Sequence, residues 1–157
     1  MPSETSGAGR SVEVRVPLRW ADMDAYGHVN NTAVVQVLEE ARVAAFGVPS
    51  GTGAGAGEQA VPPPIDLLEG VGPGVRTFIA EHTVRYRAQM PFRPVPLRVV
   101  VSVEAVKAAA VHVGYALHDG VDGTLCATAT SVMVFVDGAT GRPVRVSPEQ
   151  RAALRGE

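Results

Sequence analysis

The chain has 157 residues, the size of one domain with one core. Its 46% hydrophobic and 19% charged residues, with mean hydropathy +0.12, exclude a disordered or fibrous protein. Fourteen basic against sixteen acidic residues give a net charge of −2, which argues against a nucleic-acid partner. Cys126 is the only cysteine, so no internal disulfide and no Cys-rich metal site is possible; a buried, inert thiol is expected. With no apolar leader and no 18-residue apolar run, the expectation is a cytoplasmic protein without a membrane partner.

Residues 1–10 are small and polar and read as a disordered leader before a single domain over 11–157. Residues 11–20 alternate, with Val12, Val14, Val16, Leu18 and Trp20 on one face, as in a half-buried strand. A turn-rich stretch, Ala21–Asn30, follows. From Asn31 to Phe46 apolar residues cover most of a helical surface, which predicts a helix buried nearly all round, stopped by Gly47 and Pro49. Residues 47–74 are rich in Gly and Pro and read as a flexible loop, with one docked turn at Ile65–Leu68. The Gly-x-Gly repeat at 51–57 lacks the flanking strand and helix of a phosphate cradle.

The rest is strand-like. Residues 75–88 alternate, placing Phe78, Ala80, His82, Val84 and Tyr86 on one face. Three prolines interrupt at 90–96. Residues 97–107, 109–118 and 124–136 are further strands, the last two joined by the turn sequence "HDGVDG". Ser147-Pro148-Glu149-Gln150 opens a short helix to about Arg155. One strand, one buried helix and four successive strands give an α+β domain in which an antiparallel sheet curls round the helix.

The densest polar cluster, Asp22 to Asn31, lies between the first strand and the helix. Turn and capping chemistry accounts for part of it, with Gly27 supplying a positive φ. A calcium loop fails at its fifth and twelfth positions, Tyr26 and Ala33. A transition-metal site from Asp22, Asp24 and His28 lacks a second nearby histidine, so no metal is expected. None of the seven serines stands in a Gly-x-Ser-x-Gly motif.

The run "RWADMDAYGHVNN" at 19–31, with "LEEAR" at 38–42, resembles the hotdog-fold acyl-CoA thioesterases of the 4-hydroxybenzoyl-CoA thioesterase type. The resemblance continues through "HTVRYRAQMPFRPV" at 82–95, "ATATSVMVFVD" at 127–137 and "GRPVRVSPEQRAAL" at 141–154. It implies the hotdog fold: a five-stranded antiparallel sheet wrapped around one long central helix. It implies hydrolysis of an acyl-CoA thioester with no cofactor, coenzyme A being part of the substrate, in a homodimer or homotetramer.

It also implies roles. Asp24 is the catalytic carboxylate, as nucleophile or general base, and the backbone amide of Asn31 holds the oxyanion. Gly27 and His28 shape the turn between them. Tyr26 and Asn30 are expected to touch substrate. Asp22 is expected to hold the loop by accepting backbone N–H groups. Glu40, on the helix, is the reserve carboxylate, because another branch of hotdog thioesterases takes its catalytic acid from there.

Residues 76–98 carry five arginines against Glu81, which suggests a docking surface for CoA phosphates, with Arg85 and Arg93 as candidates. Val34, Leu38, Phe46 and Phe78 are expected to wall the acyl group. Relatives commonly carry Gly-Asp where this chain has Arg93-Pro94-Val95-Pro96, so a different local turn is expected. The rival functions are an enoyl-thioester hydratase or dehydratase and a non-catalytic acyl-CoA-binding protein.

Overall fold

The computed structural model describes residues 9–48, 63–67 and 71–157. Most of the leader and of the 47–74 loop lies outside the described residues. Gly9 and Arg10 are tied down: Gly9 N–H donates to the Val103 carbonyl and Arg10 N–H to that of Leu154.

Five strands form one antiparallel sheet in the order β1-β3-β4-β5-β2. They are β1 (Ser11–Val16), β2 (Val75–Tyr86), β3 (Leu97–Val106), β4 (Ala110–His118) and β5 (Leu125–Asp137). The two helices are α1 (Asn31–Phe46) and α2 (Pro148–Arg155). β1 ends at Val16 because Pro17 cannot continue the ladder. Trp20 then opens a 3₁₀ turn, Trp20–Asp22, and is 77% exposed, so it does not extend the buried face of β1 as the alternation suggested.

α1 begins as capping chemistry demands. Asn30 Oδ1 accepts the Thr32 N–H, and Gly47, at φ 75°, ends the helix. The helix buries one flank against the sheet, with Val34, Val37, Leu38 and Ala41 at its centre. Burial is not all-round: Val35 and Val43 remain exposed on the opposite flank. One sheet can cover only one side of a helix.

The face of β2 also differs from simple alternation. Ile79 pairs with Met133 and Glu81 with Val132, so Ala80 is a bulge. One inserted residue shifts the phase of the strand. Phe78 therefore falls on the outer face, 59% exposed, and outside the core on which Ile79 packs.

Beneath α1 a polar chain crosses the sheet. Arg42 Nη1 donates to Tyr115 Oη, whose hydroxyl donates to Ser131 Oγ at 3.0 Å, and His82 Nδ1 lies 2.7 Å from the same oxygen. Burial, reinforced by the Arg42 charge, lowers the His82 pKa below its ordinary value. Cys126 is buried as expected, and burial raises its thiol pKa.

Ser147 caps α2 by accepting the Gln150 N–H, and the buried Gln150 Nε2 donates to the Leu67 carbonyl. That bond, with Ile65 N–H on the Ala45 carbonyl, docks the described piece of the long loop, where Ile65 and Leu67 are buried.

Candidate active site

The 3₁₀ turn delivers the chain into a tight loop before α1. Met23 and Val29 form an antiparallel bridge, and Asp24 sits where the chain reverses. Asp24 N–H donates to the His28 carbonyl at 2.7 Å. Asp24 Oδ1 accepts the N–H groups of Tyr26 (2.8 Å) and His28 (3.1 Å). Two fixed bonds on one oxygen orient the carboxylate and leave Oδ2 without a hydrogen-bond partner among the described residues. Gly27, at φ 78°, makes the reversal possible.

Asn31 is the first residue of α1. Its N–H has no intrahelical acceptor, and it donates to nothing else among the described residues. The amide is therefore a free donor at the positive end of the helix dipole, in a residue that lines the cleft described next.

Asp24, Tyr26, His28, Val29, Asn30 and Asn31 line one cleft of about 510 Å³. Val34 and, from the other side, Tyr86, Ala88, Gln89 and Met90 complete it. The loop is held against that wall: Val29 N–H donates to the Met90 carbonyl, Phe92 N–H to the Gly27 carbonyl, and His28 bridges Pro91. Tyr86 Oη donates to the Asn31 carbonyl at 3.3 Å, tying the end of β2 to the start of α1.

Five of the eight residues singled out from sequence, Asp24, Tyr26, His28, Asn30 and Asn31, thus meet in one cleft, and Gly27 forms the turn between them. Arg85 and Arg93 do not line it. Arg85 lines a separate groove on the outer face of the sheet. Arg93 donates through Nε and Nη2, both at 3.2 Å, to Oδ2 of Asp119. Glu40 lies in a different cavity, of about 270 Å³, shared with Arg19, Asp22 and Gln36. Tyr86, at the end of β2, and Met90, in the segment after it, join the site only through the tertiary fold, which sets them against the start of α1.

Asp22 holds the loop. Its carboxylate accepts Arg19 N–H at 2.8 Å and the Arg19 guanidinium at 2.9 Å, and its carbonyl accepts Asn30 N–H. The Arg19 guanidinium, with Arg19 N–H, holds the Asp22 carboxyl below its ordinary 3.8, against the opposing effect of burial. A depressed folded-state value stabilises the fold above the unfolded carboxyl's pKa, and the contribution is lost as pH falls through the folded value. Wild type and Asp22→Asn are expected to differ in unfolding free energy at about pH 7 and to converge as pH falls well below the ordinary carboxyl value of 3.8. Urea titrations at the two pH extremes measure this, and an equal gap at the two would refute the assignment.

No three His, Cys, Asp or Glu side chains gather in ligating geometry among the described residues. No helix there is long and apolar enough to cross a membrane.

A long helix cradled by a five-stranded antiparallel sheet, with a polar loop at the helix N-terminus, is the hotdog fold. The match to the family model of the thioesterase-like superfamily over residues 18–154 completes the assignment: the chain belongs to that superfamily and is a thioester hydrolase. The fold is shared with solved structures. A predicted thioesterase from Bacillus stearothermophilus superposes with a TM-score of 0.68 at 22% identity, over 94% of this chain and 96% of that one. The DHNA-CoA thioesterase from Staphylococcus aureus gives 0.65 at 18% identity, over 91% and 87%. A thioesterase from Thermus thermophilus, solved in complex with coenzyme A and Zn, gives 0.64 at 23%, over 98% and 95%. No curated protein matches the chain.

Proposed function

We propose that the protein hydrolyses an acyl-CoA thioester to the free acid and CoA, with Asp24 as its catalytic carboxylate. The observation that carries this reading is the pairing of Asp24 and the free Asn31 N–H in one cleft. Thioester hydrolysis needs a group that delivers oxygen to the carbonyl and a donor for the oxyanion that develops. The Asp24 carboxylate delivers the oxygen, directly or through a water it deprotonates, and the Asn31 amide stabilises the oxyanion. The C–S bond breaks, the thiolate leaves as CoA, and one water is consumed. The chemistry calls on no metal or redox cofactor.

Val34, Val29 and Met90 supply an apolar wall for the acyl group. The like fold of a relative solved with coenzyme A supports CoA as the carrier. His28 shares the cleft, but among the described residues the dehydratase alternative gains no paired acid for it there beyond Asp24 itself.

The working form in this reading is a homodimer. β2 is a twelve-residue edge strand paired only to β5 among the described residues, and Val35 and Val43 lie exposed on the flank of α1 that the sheet leaves uncovered. An edge of that length, beside exposed apolar residues, is a surface a second copy covers. The one buried, unpaired thiol suits a reducing cytoplasm.

The test is free-thiol release from a panel of aliphatic and aromatic acyl-CoA esters, alongside the mass of the protein in solution. Release above the uncatalysed rate for at least one ester is expected, from a dimer or larger. Silence across the panel, with CoA esters bound, would overturn hydrolysis in favour of a binding protein, and a monomer active at assay concentration would overturn the dimer.

A further inference from the structure

Asp119 is 2% exposed, and the hydrolytic chemistry does not use it. It stands at the start of the turn between β4 and β5. Its Oδ1 accepts Val121 N–H at 2.8 Å, and its carbonyl accepts Gly123 N–H at 3.0 Å, so the carboxylate is fixed by its own turn. Oδ2 is left for Arg93, which reaches it from 26 residues away through Nε and Nη2.

Arg93 belongs to the segment between β2 and β3, residues 87–96, which forms the back of the Asp24 cleft. Pro91, Pro94 and Pro96 deprive this segment of three N–H donors. Its start is anchored by the Arg87 and Ala88 N–H groups, both on the Cys126 carbonyl. Arg93 to Pro96 add no backbone hydrogen bond among the described residues. Their hold comes from the Arg93 side chain and from the turn itself, since a Cβ on Gly120 would run into the Pro96 carbonyl.

Between those anchors lie the atoms that grip the catalytic loop. The Met90 carbonyl accepts Val29 N–H, Phe92 N–H donates to the Gly27 carbonyl, and Pro91 bridges His28.

We propose that Arg93 and Asp119 are a positioning pair: their half-buried ion pair fixes residues 90–92, and through them the Asp24 loop, in the geometry needed for turnover. The proposal rests on the Asp24 reading. It replaces the phosphate-binding role that the local cluster of arginines suggested for Arg93. The two roles part in steady-state kinetics. A phosphate ligand contributes to ground-state binding, so its loss raises KM and spares kcat. A positioning residue acts on the reacting geometry, where a shift of about 1 Å costs on the order of 100-fold.

The experiment compares wild type with Arg93→Lys, Arg93→Gln and Asp119→Asn in acyl-CoA hydrolysis. Arg155→Gln serves as control, because Arg155 is exposed on α2, outside the 87–96 segment, the β4–β5 turn and the cleft. For Arg93→Gln and Asp119→Asn, kcat is expected to fall about 10- to 100-fold with KM little changed. Arg93→Lys, which keeps the charge, is expected to recover part of the loss, and it carries the test if the other variants fail to fold. Amide hydrogen exchange supplies a second readout. The Val29 and Phe92 amides are expected to exchange faster in the variants, while the core amide of Val101 keeps its wild-type protection.

A rise in KM at constant kcat would overturn positioning in favour of phosphate binding. Unchanged kcat with unchanged exchange at Val29 and Phe92 would overturn it altogether. If Asp24→Asn keeps wild-type turnover, the Asp24 reading falls, and the exchange at Val29 and Phe92 still decides whether the pair holds the loop.

Discussion

Asp24→Asn is expected to fold as wild type does, to bind CoA esters and to lose about 10³-fold in kcat, equivalent to about 4 kcal/mol of transition-state stabilisation. The substitution isolates charge from shape. In the folded loop, Asp24 Oδ1 acts as acceptor for the Tyr26 and His28 N–H groups. An asparagine oxygen accepts the same two bonds, more weakly for want of the charge. The amide nitrogen replaces Oδ2, the atom with no hydrogen-bond partner among the described residues, so the fold gives up no bond. What disappears is the property the reaction needs from this residue: a lone pair on an anion able to attack the carbonyl or take a proton from water. Thiol-release kinetics with a melting curve decide the point. Turnover within a few-fold of wild type would remove Asp24 from the chemistry and make Glu40 the next carboxylate to test. Glu40 faces Arg19 and Gln36 in its own cavity, away from the Asn31 amide, so the geometry favours the first outcome.

Much of this site is legible in the sequence, because its determinants are local. Asn30 ahead of the apolar run and Gly47 after it set the ends of α1, and both act through the backbone within a few residues. The Asp24–Gly27–His28 spacing likewise encodes a turn that closes on itself. The misses are long-range or depend on phase. Alternation in β2 has two phases, and the single bulged residue Ala80 exchanged them, sending Phe78 outward. The arginines at 76–98 look like one basic patch only along the chain. In the fold Arg85 lies on the outer sheet face, while Arg93 turns to Asp119. "HDGVDG" announces a turn, but nothing in those six letters tells which distant side chain its first aspartate will hold.

The oxyanion donor yields to a substitution that is normally avoided. Asn31→Pro is expected to leave the melting temperature unchanged or slightly raised and to lower kcat by about 10²–10³-fold, or about 2.7–4 kcal/mol, as for the removal of one oxyanion donor elsewhere. Proline is tolerated at the first position of a helix because the N–H it lacks would be unsatisfied there in any case. The local backbone permits it: Asn30 sits at φ −64°, ψ 140°, the extended conformation a following proline demands. The capping bond from Asn30 Oδ1 to Thr32 N–H does not involve the Asn31 amide, nor does the bond from Tyr86 Oη to the Asn31 carbonyl. The fold therefore loses nothing, and the transition state loses its donor. Asn31→Ala is the matched control: it keeps the N–H, removes the side chain and is expected to turn over at close to the wild-type rate. Full activity in Asn31→Pro would move the oxyanion to another donor in the cleft. A loss in Asn31→Ala as large as in the proline variant would shift the role from the backbone to the Asn31 carboxamide, because the alanine chain retains every main-chain group of the wild type.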